Sequence, residues 1–155
     1  MAHNTQGPMD LFKPNTLKGE WSPFGDGKIL VRLIPQDVDA GFHKAHLGDK
    51  QEFDPERMHA YLLCRASYAL LDTENIWAPG EMVAKALPKE RAAGEPAPDR
   101  RPDGMVRLDG LWSDAVKHAV LAETMEKRML GFHVLDASKA LAARIEVKKE
   151  ELGKA

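Results

Sequence analysis

With 155 residues, 43% of them apolar and 30% charged, the chain holds material for one hydrophobic core and little more. Its net charge of -2 gives no global basic field to hold a nucleic-acid backbone. The single cysteine, Cys64, excludes an intramolecular disulfide and a cysteine-rich zinc site, and no apolar run approaches the ~20 residues of a membrane-spanning helix.

Residues 1–18 mix Gly7, Pro8 and Pro14 with polar residues and lack the apolar run of a secretory signal. They read as a flexible arm whose apolar cluster is Met9, Leu11 and Phe12, ahead of a single domain spanning 19–155. Residues 19–35 carry the clearest strand signal. Trp21 and Phe24 precede Gly25-Asp26-Gly27, and the apolar run Lys28 to Ile34 follows. Two glycines around an aspartate suit a tight turn. Ile29, Val31 and Leu33 would share one face of the second strand, and Pro23 belongs on an edge.

Residues 36–87 read as helical. Asp37 is positioned to cap a helix over 36–47, with Gly41 weakening its middle. Asp54 as N-cap and Pro55 at the first turn predict a helix to Leu71, apolar around much of its girth and central to the core. A turn is expected over Asp72 to Asn75, then a short helix over Gly80 to Leu87. Residues 88–104, with Pro88, Pro96, Pro98 and Pro102, form the most loop-like stretch. In 105–155, Asp109-Gly110 marks a turn. Ser113 predicts a helix from Asp114 to Leu130 with Gly131 just past its end, and Asp136 caps a last helix over Ala137 to Leu152. The fold class expected is therefore mainly α with a small N-terminal β-hairpin (α+β).

The chemistry-bearing residues are sparse. His43, His46 and His59 form the only histidine cluster, and their spacing matches no metal signature. Cys64 falls in the middle of the apolar helix, where a free cysteine acts as a small apolar residue; only the distant His118 or His133 could complete a nucleophile pair with it. Ser113 reads as a cap, Gly25-Asp26-Gly27 as a turn, and Arg100-Arg101 as part of a solvated loop. Trp77 and Trp112 stand beside turns or helix starts and could anchor a partner. Met125 and Met129 would give the penultimate helix an adaptable apolar surface. Those four residues are the expected partner-binding set, with no catalytic residue, metal or cofactor.

The order of elements resembles that of a known family. A strand with Trp21 and Phe24, the glycine turn and the strand Lys28 to Ile34 come first. A helix running into Leu70-Leu71-Asp72, a proline segment and a last helical pair follow. The pattern, over about residues 18–152, is similar to the tail assembly chaperones of long-tailed bacteriophages and prophages. The resemblance implies a non-enzymatic protein of the bacterial host cytoplasm. It would bind a long, helical tape-measure protein before the tail tube forms around it. Two other readings are a structural tail or head–tail connector subunit, which would self-associate, and a small nucleic-acid-binding regulator, which the charge disfavours.

Overall fold

The computed structural model describes residues 19–47, 54–87 and 97–154. Strands β1 (Glu20–Phe24) and β2 (Gly27–Val31) form an antiparallel hairpin in which Trp21 faces Leu30 and Pro23 faces Lys28. Gly25, at φ 57°, occupies the turn position that favours glycine. Gly27 is required for a different reason, since a Cβ there would sit 2.4 Å from the Glu74 carbonyl oxygen. Ile29 and Val31 point into the core as the alternation predicts. The second strand stops at Val31 rather than continuing to Ile34, because Arg32 leaves the ladder. Its amide donates to the Ala69 carbonyl at 2.9 Å, and its Nε donates to the Tyr68 carbonyl at 2.7 Å.

Helix α1 (Gln36–His46) starts after Pro35, so Asp37 lies inside the first turn and is not the cap. Helix α2 (Pro55–Ala69) begins as expected: the Asp54 carboxylate accepts the Arg57 amide at 2.8 Å. It ends two residues early. Residues Leu70–Glu74 are strand β3, antiparallel to β2, where a helix end and a turn were expected. A two-stranded hairpin is marginal in water, and β3 supplies the third strand that makes the sheet viable. Nor is α2 buried all round: only Ala66 and Ala69 are fully buried, and the rest of its apolar side chains are half-buried between α1 and the last two helices.

Trp77–Pro79 (β4) pairs with Met105–Arg107 (β5), so both regions expected to be helical contain a strand. Helix α3 covers only Gly80–Val83, with the amides of Ala86 and Leu87 turning back to the Val83 carbonyl. Helix α4 (Asp114–Leu121) has Ser113 as its N-cap, its hydroxyl accepting the Val116 amide. It stops at Leu121, not Leu130. Helix α5 runs from Leu130 to Lys154, which places Gly131 in its first turn and Asp136 in its interior. The reason is local. The Thr124 hydroxyl donates to the Val120 carbonyl at 2.8 Å and accepts the Gly131 amide at 3.1 Å, binding the end of one helix to the start of the next. Gly131 is a close-approach glycine, because a Cβ would lie 2.6 Å from Met125 Sδ and 2.8 Å from the Thr124 oxygen.

The core joins both layers. Ile29 and Leu70 from the sheet meet Val83, Val106, Leu121 and Val134 from the surrounding elements, all fully buried. This is a mixed α+β domain with a small N-terminal sheet, as the sequence predicts. Among the described residues no helix is long and apolar enough to cross a membrane. The arm at 1–18 and most of the proline segment, 88–96, lie outside the described residues.

Candidate functional site

Two of the four expected partner-binding residues are engaged within the chain. The Trp112 indole N–H donates to the Thr73 hydroxyl at 2.8 Å, and its ring packs half-buried on the core. Thr73 in turn donates to Asp109 at 2.8 Å. The same carboxylate accepts the backbone amides of Asn75 (2.7 Å) and Ile76 (3.2 Å), and the Arg107 Nε at 2.8 Å. Burial works to raise the Asp109 carboxyl, but these donors outweigh it and hold the group below its ordinary value. Trp77 belongs to the same junction. Its N–H donates to the Asn75 side chain at 2.9 Å, and Arg101 and Arg107 lie over its ring at 5.0 and 5.7 Å. A polar cleft of about 300 Å³ beside them is lined by Asp26, Lys28, Glu74 and Arg107 with Gly27 and Asn75. Lys28 pairs with Glu74 at 2.9 Å, and Arg107 with Asp99 and Asp109. Arg101, expected as a solvated loop residue, pairs with Asp103 at 2.8 Å and is exposed.

The histidines do not converge. His59 Nε2 donates to the Ala122 carbonyl at 2.9 Å, at the end of α4. His46 Nδ1 lies 2.9 Å from the Phe42 carbonyl, which can only accept, so the proton sits on Nδ1 and the Nε2 lone pair is free. That lone pair faces Cys64 Sγ at 3.7 Å. Cys64 is half-buried rather than buried, and its contact is His46 rather than His118 or His133. The pairing comes from α1 lying on α2, a tertiary contact that no spacing in the chain encodes. Burial pushes the Cys64 thiol up, which favours the protonated form that donates to the imidazole. Beside it, Asp39 accepts the Tyr61 hydroxyl at 2.7 Å and pairs with Arg65 at 3.0 Å. Burial, and then the bond to Asp39, raise the Tyr61 hydroxyl. Among the described residues no three His, Cys, Asp or Glu side chains are grouped to hold a metal ion.

Met125 and Met129 sit on the connection between α4 and α5, not on a continuous helix, and Val116 and Val120 beneath them are buried. Met125 is half-buried against the core, whereas Met129 is 39% exposed. Next to Met129, Phe132 is 37% exposed, and further along α5 come Val147 at 53% and Leu152 at 72%. The reason is the length of α5: 25 residues span about 37 Å, more than the body beneath can cover. Leu130, Val134, Ser138 and Leu141 form its buried stripe, and beyond Leu141 no described residue of the helix is buried. On its outer side Phe132, Ala140, Ala143 and Val147 share a second, exposed face, beside an open groove of about 420 Å³ lined by Ala143, Arg144, Val147 and Lys148. Met129 is legible from its residue type; Phe132 is not, because it precedes the expected helix start at Ala137, and Val147, although inside that helix, lies off the Leu141, Ile145 and Leu152 stripe. Comparison with protein-family models, with curated proteins and with solved structures found no match to the chain.

Proposed function

We propose that the protein is a non-catalytic assembly adaptor of the tail-assembly-chaperone kind. In this reading it binds a helical segment of a tape-measure-type partner along the outer face of α5. One observation carries it. Of the five exposed large apolar side chains among the described residues, three lie on the outer face of α5 or immediately before it, Met129, Phe132 and Val147, and a fourth, Leu152, lies on its inner side near the C-terminal end. The fifth, Trp21, is on β1 with the Lys28 ammonium 5.0 Å from its ring. Apolar side chains scattered over a surface need no explanation, but a set gathered on one element marks an interaction face. Ala140 and Ala143 lie between Phe132 and Val147 and allow a second helix to approach closely. Met129 at one end adapts to more than one partner register. The order of elements that resembles the phage family supports the choice of partner, and Met129 remains in the site with Phe132 and Val147 added.

The test is co-expression with a phage tape-measure protein, a long and helix-rich chain. The wild type keeps that protein soluble and co-elutes with it, whereas the double variant Phe132→Ser, Val147→Ser folds normally and does neither. Assembly of the unaccompanied protein into rings at micromolar concentration, disrupted by the same two substitutions, would instead favour a structural tail or connector subunit.

A further inference from the structure

We infer that the partner helix that docks where α5 leaves the body is acidic: the distal part of the inner stripe sets Ile145 and Leu152 on either side of a central Lys148, with Arg144 on its flank. This rests on the reading of α5 as the docking element and adds a second contact face, on the distal part of the helix and turned away from Phe132 and Val147. Leu141 is 3% exposed and ends the buried stripe. At roughly 100° per residue, Ile145, Lys148 and Leu152 fall within about 40° of Leu141, so they continue the same face beyond the core. Ile145 is half-buried, Lys148 is exposed, and Leu152 is 72% exposed. The steps of four, three and four residues from Leu141 to Leu152 are those of a coiled-coil seam. Arg144 lies about 60° from Leu141 on the flank of this seam, whereas Glu146 and Glu150 lie about 140° and 180° away. By the same geometry Glu151 lies about 80° from Leu141 on the flank of Arg144, and Lys149 about 80° away on the other flank, so with Lys148 in the seam itself the balance of charge beside it is positive.

Charge complementarity selects the occupant. A helix with leucines on one face and glutamates flanking them would bury Ile145 and Leu152 and neutralise both cations. A second copy of this chain would bring Arg144 and Lys148 against the same cations and is disfavoured. Arg144 already touches Glu20, at 3.6 Å, through two exposed side chains. That weak pair shows the guanidinium within reach of a carboxylate beside the seam and leaves it free to change partners.

Two labelled synthetic amphipathic peptides of about three heptads, one with glutamates flanking its leucine seam and one with lysines, provide the probes for fluorescence anisotropy on the full chain. The acidic peptide is expected to bind at least about tenfold more tightly at low salt, and salt is expected to erode the difference. Lys148→Glu alone should remove most of that preference, and Arg144→Glu with Lys148→Glu should reverse it. Ile145→Ser with Leu152→Ser should abolish binding of both peptides. Equal affinities, a preference for the basic peptide, or self-association that vanishes in the serine variant would overturn the inference. Its failure is separable from that of the proposed function. Loss of the acidic preference while the tape-measure-type protein still co-elutes removes only this inference. An acidic preference without co-elution removes only the choice of biological partner.

Discussion

Leu141 and Leu152 lie on one face of α5, yet Leu141 is 3% exposed and Leu152 is 72% exposed. The same residue type thus serves two environments along a single stripe, and the transition falls where the helix outruns the domain. Leu141→Ala should destabilise the fold by about 2–4 kcal/mol, the range for opening a cavity in a packed core. Leu152→Ala should change stability by less than about 0.5 kcal/mol. Urea unfolding of both variants checks this; comparable losses would mean that the distal stripe packs on the chain itself.

Asp109 holds the sheet to the β4–β5 pair through Thr73, Asn75, Ile76 and Arg107. Asp109→Ala should cost about 2–3 kcal/mol, because it leaves several donors without their charged acceptor. The pH dependence follows from the lowered carboxyl. The unfolded chain takes up the proton first, so the stabilisation is complete above the ordinary carboxylate value near ~3.9 and is lost as pH falls through the lower folded value. Acid titration of the folded protein should therefore show a loss of stability below about pH 4 that is shallower in Asp109→Asn.

Cys64 should label slowly with a disulfide reagent at neutral pH in the native protein and rapidly once unfolded. Its thiol is pushed up by burial and donates to His46, so the thiolate fraction is small. The native labelling rate should rise only as pH passes above the ordinary thiol range near ~8.5. Fast labelling at neutral pH would identify a thiolate–imidazolium pair and return Cys64 to consideration as a nucleophile.

Gly27 and Gly41 should respond to alanine in opposite directions. A Cβ at Gly27 meets the Glu74 oxygen at 2.4 Å, which is backbone and cannot step aside, so Gly27→Ala should cost about 1–3 kcal/mol. Gly41 lies within α1 with open space around it, and Gly41→Ala should stabilise by about 0.5–1 kcal/mol. Thermal unfolding of the two variants reads both signs.

Local chemistry made part of this fold legible. Asp54 and Ser113 cap their helices, and Gly25-Asp26-Gly27 lies at the hairpin turn, because each signal acts within a few residues. The sequence failed where tertiary contacts decide. Leu70–Glu74 has the composition of a helix end and becomes a strand because β2 offers an edge to pair with. Trp77–Pro79 and Met105–Arg107 are each three residues long, too short to show an alternation, and are strands only by virtue of one another. The break at Leu121 depends on the Thr124 hydroxyl reaching both Val120 and Gly131, which composition does not reveal. At the candidate site, Met129 was legible as an adaptable apolar residue. Trp112 and Trp77 are engaged within the chain, their indole N–H groups donating to Thr73 and Asn75, which residue type alone does not reveal. Phe132 becomes visible only once α5 starts at Leu130, and Val147 only through its exposure in the folded chain.

The most direct test of the account is co-expression of the full chain with a phage tape-measure protein, followed by size-exclusion chromatography. The account predicts a soluble complex with the wild-type chain and loss of that complex with Phe132→Ser, Val147→Ser at unchanged unfolding midpoint. A wild-type chain that leaves the tape-measure-type protein insoluble, or a double variant that still co-elutes with it, would contradict the assignment of α5 as the docking element.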